Sequence, residues 1–368
     1  MKTKAAVLWG VNQKWEVEEV DLDGPKEAEV LVKLTACGLC HSDHHVVTGD
    51  LPAPLPIVGG HEGAGEIVEV GKGVTEVAEG DHVVMSFLPA CGRCKPCARG
   101  MSNLCDLGAY LMSGAQLDGT CRVHARGHDV SQLLLIGTFA EYTVVPTASV
   151  VKVEDGVPLD KAALLGCGVT TGYGSVVRTG EAKAGDTVVV MGIGGVGINA
   201  VQGARIAGAR SIIAIDPVEF KRDRSREFGA THVAASVEDA TPLVTELTRG
   251  EMANVCVIST DVGRGSYVAQ ALSLVGKRGR VVQTAVAPAT DMSVDMSLFD
   301  LFLFEKQVRG CLFGSSNPRN DILELLSLYD SGLLKLDELV TREYTLDDVN
   351  EGYDDMLSGK NLRGLIRY

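Results

Sequence analysis

Thr187-Val188-Val189-Val190-Met191-Gly192-Ile193-Gly194-Gly195-Val196-Gly197 is the stretch that decides the fold. Its first five residues read as a buried strand, and residues 192–197 fit G-x-G-x-x-G directly behind it. Gly195–Ala207 then reads as a helix with small and apolar residues on one side. In such a turn the first glycine permits the tight reversal. The second lets the backbone approach a pyrophosphate, and the third lets helix and strand pack closely. The helix start adds unpaired N–H groups and a partial positive charge. Gly192, Gly194, Gly195, Val196 and Gly197 are therefore candidate dinucleotide contacts. Asp216 ends the next strand, nineteen residues after Gly197. A carboxylate there suits adenosine ribose hydroxyls and repels an added phosphate, which predicts NAD over NADP. Lys221 is a candidate to lie across the same ribose.

Working outward, strand and helix patterns alternate. Ser211–Ile215, Val255–Ser259 and Arg280–Thr284 read as strands; Phe220–Phe228 and the stretches 238–248 and 266–275 read as helices. That order predicts an α/β unit with a doubly wound parallel sheet. Before residue 168 the character differs. Val30–Leu34, Gly65–Val70, Asp81–Met85 and Ala140–Val145 are short strand-like runs between glycine-rich turns, as in a β-rich domain. Beyond residue 312 come helical patterns near 319–331 and 346–358 and a last strand, Gly364–Tyr368. The expected organisation is 1–168, 169–312 and 313–368.

A chain of 368 residues has room for two domains. Its formal charge of −14 repels phosphate backbones and anionic lipid, which disfavours nucleic-acid and membrane partners. The apolar run in Met1–Trp9 is too short for a secretion signal, and Val188–Ala204 is broken by glycines, Asn199 and Gln202. The expectation is a cytoplasmic protein. In that setting ten cysteines point to metal ligation before disulfides.

Cys91-x2-Cys94-x2-Cys97-x7-Cys105 puts four thiols in one irregular loop. Tetrahedral sulfur coordination of that kind suits a closed, structural zinc. Nucleic-acid-binding zinc ribbons share such clusters, but the charge and the dinucleotide turn argue against one here. Cys40, His61 and Cys167 are scattered. Two thiolates and an imidazole would leave one zinc position open for catalysis; by spacing alone, isolated cysteines and histidines of this kind are more often core residues.

Gly38–Asp43, Gly59–Gly65, the four-cysteine lobe, Gly166–Gly174 and the glycine turn occur in this order. Together they resemble the zinc-dependent medium-chain alcohol dehydrogenases over nearly the whole chain. The resemblance implies a GroES-like β-rich catalytic domain built from both chain ends, around a central Rossmann domain. It implies two zinc ions, the catalytic one held by Cys40, His61 and Cys167. Ser42 would take the alcohol proton, and the relay would pass through the nicotinamide ribose to His45; the plain alternative makes His45 a polar residue of a surface turn. Asp43 would orient His61, and Glu62 would act beside the metal. Leu51 and Phe87 match substrate-pocket positions, with core residues the equal alternative; Thr171 matches a carboxamide contact and Arg363 a pyrophosphate contact, where a solvated arginine is the plain alternative. His41 stands where many relatives place a phosphate-binding arginine, and imidazole is the weaker phosphate ligand.

Residues 99–105 and 216–219 look most like the nicotinoprotein branch assayed with a nitrosoaniline (NDMA). There the coenzyme can stay bound and an external electron acceptor recycles it. Leu107–Gly127 resembles the long loop of dimeric members, so a homo-oligomer, a dimer first, is expected. The implied reaction is reversible oxidation of primary alcohols to aldehydes. A glutathione-dependent formaldehyde dehydrogenase is the alternative; its motif also has histidine after the zinc cysteine, although His45 speaks against it.

Overall fold

The computed structural model describes residues 1–288 and 290–368. They form two compact units. The first comprises Met1–Cys167, Asn317–Tyr329 and Leu336–Tyr368; the second comprises Gly168–Ser316 and Asp330–Lys335.

In the first unit, strands Lys2–Leu8, Glu16–Leu22, Val123–Ala125, His128–Gln132 and Ile57–Val58 close into a small barrel. Ala5, Val7, Leu8, Trp15, Val130 and Phe139 fill its core. A seven-stranded sheet in the same unit runs in the order Val150–Lys152, His82–Met85, Gly63–Val70, Glu29–Gly38, Arg363–Arg367, Val340–Tyr344. Tyr142–Pro146 also pairs with Glu29–Gly38. Glu29–Gly38 outruns the expected Val30–Leu34 because Ala36, Cys37 and Gly38 stay buried and paired on both edges. Cys37 lies opposite both Gly63 and Ile366. This register sets the C-terminal strand across Glu29–Gly38 from Gly63, with a parallel neighbour at Val340–Tyr344.

Cys40 follows that central strand and caps helix His41–Thr48. The helix stops at Gly49, whose φ of +82° is costly for residues with a Cβ. His45 is therefore on a helix and 2% exposed, not in a surface turn. The histidines and Ser42 gave no apolar periodicity from which to read this helix.

The second unit is a six-stranded parallel sheet, ordered His232–Ala234, Ser211–Ile215, Thr187–Met191, Ala253–Ile258, Val275–Gln283, Gln307–Gly310. Strand order reverses beside Thr187–Met191, where doubly wound sheets open a ligand crevice at the carboxyl ends. Helices Gly195–Ile206, Glu219–Phe228, Val237–Leu247 and Gly265–Leu274 join the strands. Val189, Ile213, Cys256, Ile258 and Val281 are among the core residues. The edge strand Gln307–Gly310 escaped the sequence reading because Gln-Val-Arg-Gly has no alternating apolar pattern. Helix Gly168–Gly174 escaped it because its three glycines are poor helix formers; burial of all seven residues compensates.

Candidate functional site

Within the first unit, the Gly59–Gly63 turn and the start of helix His41–Thr48 converge on one buried point. Ligand atoms of Cys40, His61, Glu62 and Cys167 all lie within 4.8 Å of one another. Asp43, fully buried, accepts a hydrogen bond from the Gly60 N–H at 2.8 Å. The same oxygen lies 3.1 Å from His61 Nδ1, so the ring proton belongs on Nδ1. His61 Nε2 is buried with no hydrogen-bond partner among the described residues. A buried imidazole nitrogen left so beside two sulfurs is a donor set that fits zinc.

The two sulfurs shift each other's ionisation. The Cys40 thiol is held well below its usual range, first by hydrogen bonding with Cys167 and further by the charges of His61 and Arg363. Cys167 is pushed the other way by Cys40 and by burial. Burial opposes charge on His61, but Asp43 and Cys40 raise it well above the ordinary value. Glu62 is fully buried and pairs with Arg363 Nη2. Burial pushes its carboxyl up to about 7 despite the opposing guanidinium.

Arg363 is 3% exposed. In the sequence it matched a pyrophosphate contact; in the structure its guanidinium also pairs with Glu62, because strand Arg363–Arg367 and Gly63 flank the same end of Glu29–Gly38. Ser42 Oγ lies 3.8 Å from Cys40 Sγ. The Phe87 ring stands edge-on to His61 at 5.6 Å. Leu51 donates its N–H to the His45 carbonyl at 3.0 Å, and His41 packs against His45 at 4.9 Å between ring centroids.

The second cysteine cluster is separate. Sγ atoms of Cys91, Cys94, Cys97 and Cys105 lie within 4.8 Å of one another around the short helix Lys95–Ala98. Backbone N–H groups of Cys94, Cys91 and Asp106 point at three of the sulfurs, at 3.4–3.5 Å. Burial opposes ionisation of Cys91, yet the N–H groups of Arg93 and Cys94 bring it down to about 6. Burial lifts Cys105 to about 12. All ten cysteines are free thiols. Four sulfurs with no open corner fit a structural zinc.

In the second unit each turn glycine has its own constraint. Gly192 has φ +87°. A Cβ on Gly194 would meet nothing within 4 Å, whereas one on Gly197 would collide with the Gly192 carbonyl. The first bond of the following helix runs from Ile198 N–H to the Gly194 carbonyl at 2.9 Å, so the amides of Gly195, Val196 and Gly197 precede the helical ladder. Asp216 is buried and accepts from the N–H of Ile193 and of Val218, both at 2.8 Å. Each carboxylate oxygen thereby keeps capacity for a ribose hydroxyl. Lys221 lies half-buried on helix Glu219–Phe228. Its neighbour Arg222, which the sequence reading passed over, donates to the Asp216 carbonyl at 2.7 Å. Thr171 is buried on helix Gly168–Gly174. Tyr353, also unflagged, donates its hydroxyl to the Cys40 carbonyl at 3.3 Å from 313 residues away.

Comparison with known proteins agrees with this geometry. Residues 26–155 match the model of the alcohol dehydrogenase GroES-like domain, and 195–331 that of the zinc-binding dehydrogenases. The chain is 53% identical over 368 residues to the NDMA-dependent alcohol dehydrogenase of Amycolatopsis methanolica, covering 100% of this chain and 99% of that one. Alcohol dehydrogenase B of Mycobacterium tuberculosis is 49% identical over 370 residues, with coverage of 100% and 99%. The crystal structure of benzyl alcohol dehydrogenase from Acinetobacter calcoaceticus superposes with a TM-score of 0.92 at 31% identity, covering 100% and 99%. These relatives favour alcohol dehydrogenase over the glutathione-dependent formaldehyde dehydrogenase alternative. With a buried Cys–His–Cys donor set, a four-sulfur lobe, a dinucleotide turn and full-length identity near one half, the chain belongs to the zinc-dependent medium-chain alcohol dehydrogenases.

Proposed function

We propose that this alcohol dehydrogenase oxidises primary alcohols to aldehydes reversibly, with NAD as hydride acceptor and two zinc ions per chain. We further propose that NAD stays bound between turnovers and is re-oxidised in place by an external acceptor. The observation that carries the reading is the buried Cys40–His61–Cys167 set with the Ser42 hydroxyl beside it. Zinc and a nicotinamide coenzyme go with the family.

A zinc ion held by these three side chains supplies Lewis-acid stabilisation of charge on an alcohol oxygen. The chain's residues do the rest. Ser42 Oγ takes the alcohol proton, and His45 is the base further along the relay. An imidazole suits that task because its unperturbed pKa is near 6.5. Asp43 keeps the His61 proton on Nδ1 and its Nε2 available as a ligand. Pairing of Glu62 with Arg363 keeps that carboxylate from filling the open position. Phe87 and Leu51 form apolar walls. NAD rather than NADP is supported by the buried Asp216 carboxylate beside the Gly192–Gly197 turn. Tight coenzyme binding is assigned here to the glycine-turn amides, Asp216 and Thr171.

The test is the ultraviolet spectrum of desalted protein, followed by chromatography of whatever acid releases. Nicotinamide absorbance that survives desalting, with NAD in the extract, is the expected result. A coenzyme-free protein that turns over only with added NAD would refute permanent binding, and NADP in the extract would refute the Asp216 assignment.

Assembly is proposed to be a dimer through the edge of the parallel sheet. Among the described residues, strand Gln307–Gly310 pairs on one side only, with Val275–Gln283. The preceding helix Leu298–Leu303 leaves Leu298 72% and Phe302 79% exposed. Unpaired edges and apolar patches of this kind are what a second copy covers. Light scattering should give a dimer for the wild type and a monomer for Phe302→Glu; an unchanged mass for the variant would place the interface elsewhere.

A further inference from the structure

His45 is 2% exposed, so its role as relay base raises the question of what holds the ring and its charge. The turn after helix His41–Thr48 answers it. Asp50 Oδ2 lies 3.5 Å from His45 Nδ1, and Asp50 is 40% exposed at its side chain. The carboxylate does not swing freely, because Thr48 Oγ1 donates to the same Oδ2 at 2.7 Å. Thr48 Oγ1 also lies 3.3 Å from the His45 carbonyl, and Leu51 N–H donates to that carbonyl at 3.0 Å. The turn is thereby locked to the residue it serves. Other titratable groups facing His45 are His41, at 4.9 Å between ring centroids, and His44 on the same helix. His44 is in turn stacked on Tyr353 of helix Val349–Leu357 at 6.3 Å. Asp50 is thus the negative charge set directly against the His45 ring.

We propose that Asp50 is a positioning residue for His45: its Thr48-anchored carboxylate keeps the ring proton on Nδ1 and presents Nε2 as the base. The inference rests on the relay reading of His45 given above. In the step, the Nε2 lone pair takes the incoming proton and the ring becomes an imidazolium. The Nδ1 proton stays in place, facing the Asp50 carboxylate, and Nε2 later returns its proton to solvent. The carboxylate holds the tautomer before the step and offsets the positive charge after it. Its partial exposure keeps the interaction moderate.

The experiment uses the full-length holoenzyme as wild type, Asp50→Asn, Asp50→Glu and His45→Gln. Two readouts are taken: the pH profile of kcat and KM for alcohol oxidation, and the 15N shifts of the His45 ring. Asp50→Asn should move the acidic limb of kcat to lower pH by about half a unit, leaving KM unchanged, because the imidazolium loses its counter-charge. Asp50→Glu should restore the wild-type limb. His45→Gln should remove the limb, and wild-type His45 should carry its proton on Nδ1. A limb altered by His45→Gln but untouched by Asp50→Asn would overturn the Asp50 role and leave the relay standing. A limb unchanged in His45→Gln would overturn the relay and the Asp50 role with it. A wild-type ring protonated on Nε2 would overturn the positioning role whatever the kinetics.

Discussion

Cys40→Ser is expected to abolish alcohol oxidation and to lower metal content from the proposed two zinc ions per chain to one. A hydroxyl is a much poorer ligand for zinc than a thiolate, and Cys40 is the sulfur that Cys167, His61 and Arg363 all favour in its charged form. Losing the several kcal/mol of charge stabilisation that a catalytic metal supplies is roughly a thousandfold in rate. The remaining zinc should stay in the Cys91–Cys105 lobe, whose four sulfurs touch none of the Cys40 set. Circular dichroism should therefore be unchanged. Metal analysis beside turnover is the decisive pair: a variant that keeps both ions and its rate would take Cys40 off the metal. Loss of both ions would instead mean that the lobe depends on the catalytic centre.

Arg363→Met is expected to be the most damaging single change to stability. The guanidinium is buried, and its partner Glu62 is buried with it. Removing one member of such a pair leaves a buried carboxyl that must stay charged without a partner or take up a proton, at a cost of up to about 3–5 kcal/mol. For a unit of this size that corresponds to a fall in melting temperature of roughly 10 °C. Glu62→Gln combined with Arg363→Met removes both charges and should recover part of the loss, since a neutral pair carries no unpaired ion. The melting temperatures of the two variants check this. An Arg363→Met protein that melts with the wild type would show that Glu62 is held by something other than the ion pair.

The centre was legible in unequal parts. The four-cysteine lobe could be read locally, because all its ligands fall within fifteen residues and short spacings force a loop to wrap an ion. The Gly192–Gly197 turn was legible for a similar reason: strand, turn and helix are consecutive. Cys40, His61 and Cys167 became a set only through the order of motifs around them. Asp43, three residues after Cys40, was flagged; Asp50, seven residues further along, was not, because its approach to His45 depends on where helix His41–Thr48 ends. Tyr353 gave no local signal either, since its partner Cys40 is 313 residues away.

Sequence alone determined the elements whose causes are local. These are the buried strand Thr187–Met191 and its glycine turn, the alternation that builds a parallel sheet, and a four-sulfur loop able to close on a metal. Tertiary structure decided what depends on register between distant strands. Arg363 matched a phosphate contact in the sequence, yet pairing of Ile366 with Cys37, and of Cys37 with Gly63, sets its guanidinium on Glu62. A strand's partner is fixed by burial across the whole sheet, and its own five residues cannot specify it. The same holds for His45, whose polar neighbours suggest an exposed turn. Only packing of its helix shows an imidazole withdrawn from water with one carboxylate set against it.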